Sequence, residues 1–411
     1  MNLAETLNRT MKLAMDEGRV QSYQKAVELF GSFRLRVEVA PCFASVRGAE
    51  AAVLTLLRAA PKTFLGGVEL VGPLDERCTL AWYADKSLGD VAAECGVSVG
   101  GGTDVDLPTI CVGAGMATSD GFWIGLAVEN DGFVLTPDAS RASATDGSVE
   151  AGVAAAGAAL NQAFQHIYRN APQAGQREVK FQFPAAMSQA TPRDQWVIGL
   201  GHLGQAYLWT MMLKDAEARP TLVKLTDDDQ VSTSSLSTCL LSDAADVGQK
   251  KVDAVARRLE ALGLKVRRDP KRLELDGGPV KSEQPLCIVA VDNLALRKAL
   301  DRVQGATVLE AGIGDGAEGF SRVQAHAFPG PRLARDVWTG DDAKASRPVD
   351  ISKPAYRSLL EESGDECGTT LVAGRSIATP FVGAFAGALL ARLAATGELQ
   401  QHAWNFDVNW L

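Results

Sequence analysis

The 411 residues contain no CxxC pair, no HExxH or HxH pattern, no excess of basic charge and no apolar run of membrane-spanning length. Each absence excludes a class of function. The seven cysteines (Cys42, Cys78, Cys95, Cys111, Cys239, Cys287 and Cys367) stand singly, and their odd number leaves at least one thiol unpaired in any disulfide scheme. A reduced, cytoplasmic location is therefore expected. The four histidines, His166, His202, His326 and His402, are far apart, so neither zinc nor a structural metal is expected. Lys and Arg total 41 against 50 Asp and Glu, a net charge of −9 that repels polyanions, so nucleic acid is not an expected partner. Ile377 to Ala391 is uncharged, but Pro380 interrupts it and Arg392 ends it short of the about 20 residues a membrane span needs. It reads as a buried helix, and no membrane partner is expected. The opening MNLAETLNRTMKLAMDEG lacks the apolar core of a signal peptide and reads as an amphipathic helix.

What is present is an ordinary globular composition, 46% hydrophobic and 22% charged, in a chain long enough for two domains. The sharpest break in composition is APQAGQREVKFQFPAAMSQATP, Ala171 to Pro192, which suggests domains at 1–190 and 191–411. Before it, a helix near Leu7 to Phe30 leads to a strand-like run at 35–40. A helix at Ala49 to Ala60 and a second strand-like run at 66–72 follow. Further strand-like runs at 109–116, 122–128 and 132–137 and a helical stretch from Val149 to Tyr168 complete an α/β first half. Gly113 and Gly115 in CVGAGM do not read as a nucleotide loop, because the next segment looks like a turn and a strand, not a helix.

The strongest local signal follows the break. QWVIGLGHLGQAYLWTMML reads strand, glycine loop, helix, with Gly199, Gly201 and Gly204 in GxGxxG spacing. The first glycine permits a tight turn, the second lets backbone amides approach an anion, and the third lets the helix pack on the strand. A second strand, PTLVKLTDDD, ends in carboxylates about 25 residues on, where a Rossmann fold places an acid on a ribose hydroxyl. At this point NAD and ATP are equally served. His202, inside the loop, reads as a tolerated surface residue.

The run DDDQVSTSSLSTCLLSDAADVGQKKVDAVARRLEALGLKV and then IVAVDNLALRKALD resembles the adenylating domain of the ubiquitin-activating and ThiF-like family. There a DxDxVxxSNLxRQ stretch precedes an (I/V)GxxKA helix, and a DNxxxR turn follows the next strand. VLEAGIGDGAEGFSRVQAHAFPG and DECGTTLVAGRSIATPFVGAFAGALLARLA resemble the family's later landmarks, so the likeness runs from about Gln195 to Ala394. The front half looks like that of bacterial relatives from ubiquitin-like conjugation and antiviral defence operons.

The resemblance implies a Rossmann-like ThiF-type adenylation domain preceded by a degenerate α/β, pseudo-adenylation domain. Asp227 matches the ribose-binding acid, Asp229 the second acid of DxD and Lys251 the phosphate-contacting lysine. Asp292 matches the magnesium-associated aspartate, and Arg297 closes DNxxxR. It further implies ATP and Mg²⁺ without zinc, a ubiquitin-like protein with a C-terminal glycine as substrate, a conjugating-type partner, and a pseudo-dimer within the chain or a homodimer. Cys367 is the candidate for an acyl-accepting thiol, with Cys239 the other option but better suited to apolar filling. Two departures stand out: Ser235 replaces the family's asparagine, and Thr238 replaces its phosphate-contacting arginine. A lost guanidinium removes several kcal/mol of charge stabilisation in a dry site. Arg9 and Arg19 are candidates to replace it, because two-fold relatives supply an arginine from an N-terminal region. The terminal HAWNFDVNWL lacks a Gly-Gly end, so the chain is not expected to be a modifier itself, and it is apolar enough to dock on the body. Three other readings stay open: an adenylyltransferase for a sulfur carrier or peptide, a nucleotide-binding pseudoenzyme scaffold, and, last, an NAD-dependent oxidoreductase.

Overall fold

The computed structural model describes residues 3–100, 107–113, 121–138, 142, 147–171, 173–184, 192–339, 350–396 and 401–409. Three helices open the chain: α1 (Leu3–Thr6), α2 (Lys12–Asp16) and α3 (Tyr23–Gly31). The first sheet is built from β1 (Arg34–Val39), β2 (Gly67–Val71), β3 (Ser98–Val99), β4 (Thr109–Val112), β5 (Trp123–Glu129), β6 (Gly132–Thr136) and β7 (Val179–Gln182). Its order is β3-β2-β1-β4-β5-β6-β7, with the first five parallel and the last two antiparallel. Crossovers of a dozen or more residues are needed between parallel neighbours. Here α4 (Arg47–Ala59) joins β1 to β2, α5 (Leu88–Glu94) joins β2 to β3, and α6 (Val149–Arg169) lies between β6 and β7.

The second sheet repeats this plan. β8 (Asp194–Ile198), β9 (Leu222–Thr226), β10 (Lys265–Asp269), β12 (Leu286–Val289), β14 (Thr307–Ile313), β15 (Arg322–Phe328) and β16 (Ala403–Asp407) lie in the order β10-β9-β8-β12-β14-β15-β16. Again five are parallel and two antiparallel. β11 (Val280–Lys281) and β13 (Val303–Gln304) form a separate two-stranded piece. The helices of this half are α7 (His202–Leu213), α8 (Thr233–Leu236), α9 (Lys251–Ala261), α10 (Leu294–Lys298), α11 (Gly316–Gly319), α12 (Ala334–Val337), α13 (Pro354–Ser363), α14 (Glu366–Gly374) and α15 (Pro380–Ala394). In each half the strand order reverses beside the first strand, the doubly wound arrangement whose switch point opens a crevice at the strand ends.

The two halves meet through helices. α4 and α7 follow the first strand of each sheet, and α6 and α15 precede the last. α6 packs on α4, α15 packs on α7, and α6 and α15 pack on each other. Small residues make this close approach possible. A Cβ on Gly157 of α6 would stand 2.5 Å from the Phe381 carbonyl oxygen, and one on Gly387 of α15 would stand 2.4 Å from the Ala206 carbonyl carbon. One core cluster therefore runs continuously from Phe30 and Phe164 through Phe381 to Trp209.

Several sequence expectations change. The single opening helix is instead three, because Asn8 Oδ1 accepts the amides of Thr10 and Met11, Gly18 adopts φ +68°, and Ser22 caps a new start. The composition break contains β7, whose Phe181 stacks on Phe133 within the first sheet. A four-residue strand with two exposed members gives little periodicity to detect. Gly113 sits at the end of β4 against Ala40, and β5 follows it; Gly115 lies outside the described residues. The terminal run adds β16 to the edge of β15. Among the described residues no helix is long and apolar enough to cross a membrane.

Candidate functional site

β8 ends at Ile198 and the chain turns at Gly199, with φ +86°, a backbone region that side chains rarely adopt. A Cβ there would stand 2.6 Å from the Ala290 carbonyl oxygen, so the loop lies against the end of β12. Gly204 is held as tightly, since its Cβ would stand 1.9 Å from the Gly199 oxygen. Gly201 is different. It caps α7 without a side-chain hydrogen bond, and a Cβ on it would meet nothing within 4 Å. The space beside Gly201, at the positive dipole end of α7, is therefore open.

Asp227 follows the last residue of β9 and braces this loop. Its Oδ2 accepts the Leu200 amide at 2.6 Å and its Oδ1 accepts the Asp229 amide at 2.8 Å. Burial raises its pKa despite the nearby Lys251 ammonium. Lys251, the first residue of α9, donates to Asp229 Oδ2 at 2.7 Å and lies 4.0 Å from Asp227 Oδ1. Burial alone would weaken its charge, but Asp227 and Asp229 outweigh it and raise its pKa. Asp229 shifts downward: burial opposes its charge, but Lys251 prevails. Asp227, Asp228 and Asp229 are the described residues that bring three metal-ligating side chains together.

Asp292 is exposed just beyond β12, before Asn293 caps α10. The N-terminal segment brings Arg9 close enough to feel its charge. Arg9 donates its backbone amide to Ser237 Oγ at 3.2 Å, its Nε to the Ser376 carbonyl at 3.0 Å, and its Nη2 to Ser376 Oγ. Burial lowers the Arg9 pKa, Cys239 and Asp292 oppose the shift, and Arg375 adds to it. Thr10 Oγ1 also donates to the Ala378 carbonyl at 3.1 Å. These contacts lay Arg9 and Thr10 against the second half. Arg19 lies elsewhere, with its guanidinium 4.4 Å from the centroid of the Tyr168 ring.

The glycine loop, Asp227, Asp229 and Lys251 are thus joined by direct contacts at the strand ends of the second sheet, and Arg9 and Asp292 lie near enough to act on each other there. Arg375, just past α14, was missed in the sequence. It is exposed, acts electrostatically on Arg9 and Asp229, and its only signal is its position before the PxVG segment. His202 corrects the surface expectation: its Nε2 is buried. Ser235 closes a capping box with Ser232, and Thr238 is buried. Cys239 is 2% exposed and burial raises its thiol pKa, as an apolar filler requires. Arg297 turns inward, donating to the Val291 carbonyl at 2.7 Å and pairing with buried Glu310 at 3.2 Å, so it locks β12 to β14. Cys367 is exposed in the first turn of α14. The helical rise separates it by roughly 10 Å from the end of α14 where Ser376 meets Arg9. All seven cysteines are free.

The first half lacks this equipment. After β1 the equivalent turn is Ala40, Pro41, Cys42, with no GxGxxG. Fold and sequence together define a protein of the E1-like, ThiF-type class, built from two α/β units of which one carries the glycine loop. The chain belongs to the BilD family: the BilD N-terminal domain model matches residues 34–183 and the BilD C-terminal domain model matches 191–396. It is similar to the bacterial E1-like protein BilD of Collimonas sp. (strain OK412), 30% identical over 407 residues, covering 93% of this chain and 87% of that protein. Crystal structures of E. coli MccB are more distant. The complex with AMPCPP and MccA matches 48% of this chain at 16% identity and a TM-score of 0.32, and that with MccA-N7isoASN matches 52% at 15% and 0.35. This chain spans 54% and 61% of those two MccB chains.

Proposed function

We propose that the chain uses Mg-ATP to adenylate the C-terminal glycine of a ubiquitin-like protein, for later transfer to a conjugating-type partner. The observation that carries this reading is the approach of Arg9 and Asp292 to a crevice that already holds the open α7 N-terminus and Lys251. In such a reaction the substrate carboxylate attacks the α-phosphate of ATP, forming a C–O–P acyl-adenylate and releasing pyrophosphate. Negative charge gathers on phosphate oxygens, so the site must supply amides and cations in place before the reaction. The amides after Gly201, the Lys251 ammonium and the Arg9 guanidinium meet that need. Asp227 would take the ribose hydroxyls with the lone pairs left free by its two backbone contacts.

Mg²⁺ binding through one or two carboxylates plus nucleotide phosphates suits an exposed Asp292 at the strand ends. Asp292 would hold the ion, whose role is to neutralise charge on the phosphates. Cys367 is open to solvent as an acyl acceptor, and thioester formation would follow adenylation as a separate step. Membership of an E1-like family, and a pseudo-dimer made of one glycine-loop half and one without it, support this reading. The decisive test is pyrophosphate exchange dependent on a ubiquitin-like protein ending in glycine. Asp292→Ala should reduce exchange by orders of magnitude with unchanged melting temperature, and Cys367→Ser should keep exchange but lose any thioester. Absence of exchange in the parent protein, with Mg-ATP still bound, would favour the pseudoenzyme scaffold prompted by Ser235 and Thr238.

A further inference from the structure

Arg9 is held at both ends. Its backbone amide donates to Ser237 Oγ at 3.2 Å, at the C-terminal end of α8, while its guanidinium donates through Nε to the Ser376 carbonyl at 3.0 Å and through Nη2 to Ser376 Oγ. Both supports are themselves fixed. Ser237 Oγ donates its own proton to the Ser234 carbonyl at 2.7 Å, so the oxygen is left as an acceptor for the Arg9 amide. Lys62 of the first half donates to the Leu236 carbonyl at 2.7 Å and props the same turn. Ser376 lies in the short link between α14 and α15, and Thr10 Oγ1 latches that link by donating to the Ala378 carbonyl at 3.1 Å.

We propose that Ser237 and Ser376 are positioning residues for Arg9, fixing its backbone and its guanidinium so that the donors left free on that guanidinium meet the nucleotide phosphates. This rests on the function proposed above. A guanidinium carries all its N–H donors in one plane. Ser376 takes Nε–H and an Nη2–H, which share one edge of that plane, and so leaves both donors of Nη1 and the second of Nη2 for an anion. A planar group gripped along one edge cannot turn about its last bonds, so the remaining donors keep set directions. An arginine on a loose N-terminal segment would surrender its rotamer freedom when the nucleotide bound; here folding has already removed it. The serines suit this task because they are neutral. A carboxylate in place of Ser376 would grip Arg9 as firmly, but it would offset the positive charge that a phosphate needs.

The test uses the full-length protein, with Mg-ATP as the probe in calorimetry. Arg9→Ala should raise the Kd at least about tenfold, the loss of a hydrogen bond between charged groups. Ser376→Ala, which keeps the carbonyl but removes the hydroxyl, should raise it about threefold to tenfold, and Ser237→Ala should do the same. Ser376→Thr restores a hydroxyl and should return to within about twofold of the parent. In an Arg9→Ala background neither serine substitution should change the Kd by more than about twofold, because residues acting through one shared partner are not additive. A serine that matters only to the fold would weaken binding equally with and without the Arg9 side chain. That result overturns the proposal, as do serine variants at parental affinity beside a weakened Arg9→Ala, and both leave the wider function standing. If Ser237→Ala, at a buried position, fails to fold, the Ser376 variants decide. Arg9→Ala at parental affinity overturns the proposal and removes Arg9 from the site, and a parent protein that does not bind Mg-ATP overturns the wider function too.

Discussion

Asp227 Oδ2 accepts the backbone amide of Leu200 at 2.6 Å, so the acid at the end of β9 also anchors the glycine loop at the end of β8. Leu200 is fully buried, so in the intact protein its amide depends on that acceptor. Asp227→Ala should therefore lower stability by about 1–3 kcal/mol and lose ATP binding together. Thermal melts and calorimetry with ATP and NAD read both effects. Undiminished ATP affinity, or tighter NAD binding, would refute the site as drawn.

Arg9 and Arg19 provide a matched pair. Arg9 lies beside Asp292, whereas Arg19 stacks on Tyr168 far from the glycine loop. Arg9→Ala should raise the ATP requirement and slow pyrophosphate exchange by roughly a hundredfold, the scale of one lost transition-state donor. Arg19→Ala should leave exchange within about twofold, too little for such a contact. Equal rates in the two variants would remove Arg9 from the mechanism.

The loop glycines should separate folding from binding. A Cβ at Gly204 would stand 1.9 Å from a backbone oxygen, whereas one at Gly201, with φ −71°, meets open space. Gly204→Ala should destabilise the chain by at least about 3 kcal/mol, seen as a large fall in melting temperature. Gly201→Ala should lose only about 1 kcal/mol, the cost of a poorer N-cap residue, yet bind Mg-ATP more weakly, because the methyl occupies space an anion needs. A Gly201→Ala protein with parental affinity would show that no ligand approaches there.

Lys62 makes stability depend on alkaline pH. Burial and Arg58 push its pKa from 10.5 down to about 8, while its Nζ donates to the Leu236 carbonyl at 2.7 Å. Between those two values the unfolded chain holds more protons than the folded one, so the Lys62 contribution stabilises the fold as pH rises from about 8 towards 10.5. Subtracting Lys62→Met melts from parental melts over that range isolates it. A difference that is flat or falls with pH contradicts the assignment.

Much of the fold was legible locally. The alternation of apolar runs and amphipathic stretches located the main strands of the first sheet, α4, α6, β8, α7, β9 and α15, because hydrophobic period and glycine punctuation are properties of neighbouring residues; short elements such as α5, β3 and α12 went unread. GxGxxG, the DDD run and Lys251 were legible for the same reason: each belongs to a strand end or helix start whose direction the local sequence dictates. β7 escaped notice because its burial depends on Phe133, some 50 residues earlier in the chain.

The sequence by itself determined two α/β halves, one with a glycine loop and one without, and a set of acids and a lysine spaced to meet at one strand end. Only the tertiary structure decided which arginine reaches them, that Arg297 faces the core, that Arg375 lies close to Arg9 and Asp229, and that His202 packs against the first turn of α15. Arg9 is 228 residues from Ser237 and 367 from Ser376. No local pattern encodes contacts at such separations; they follow from the packing of α6 on α15, which brings the two halves together and carries the N-terminal segment across the second.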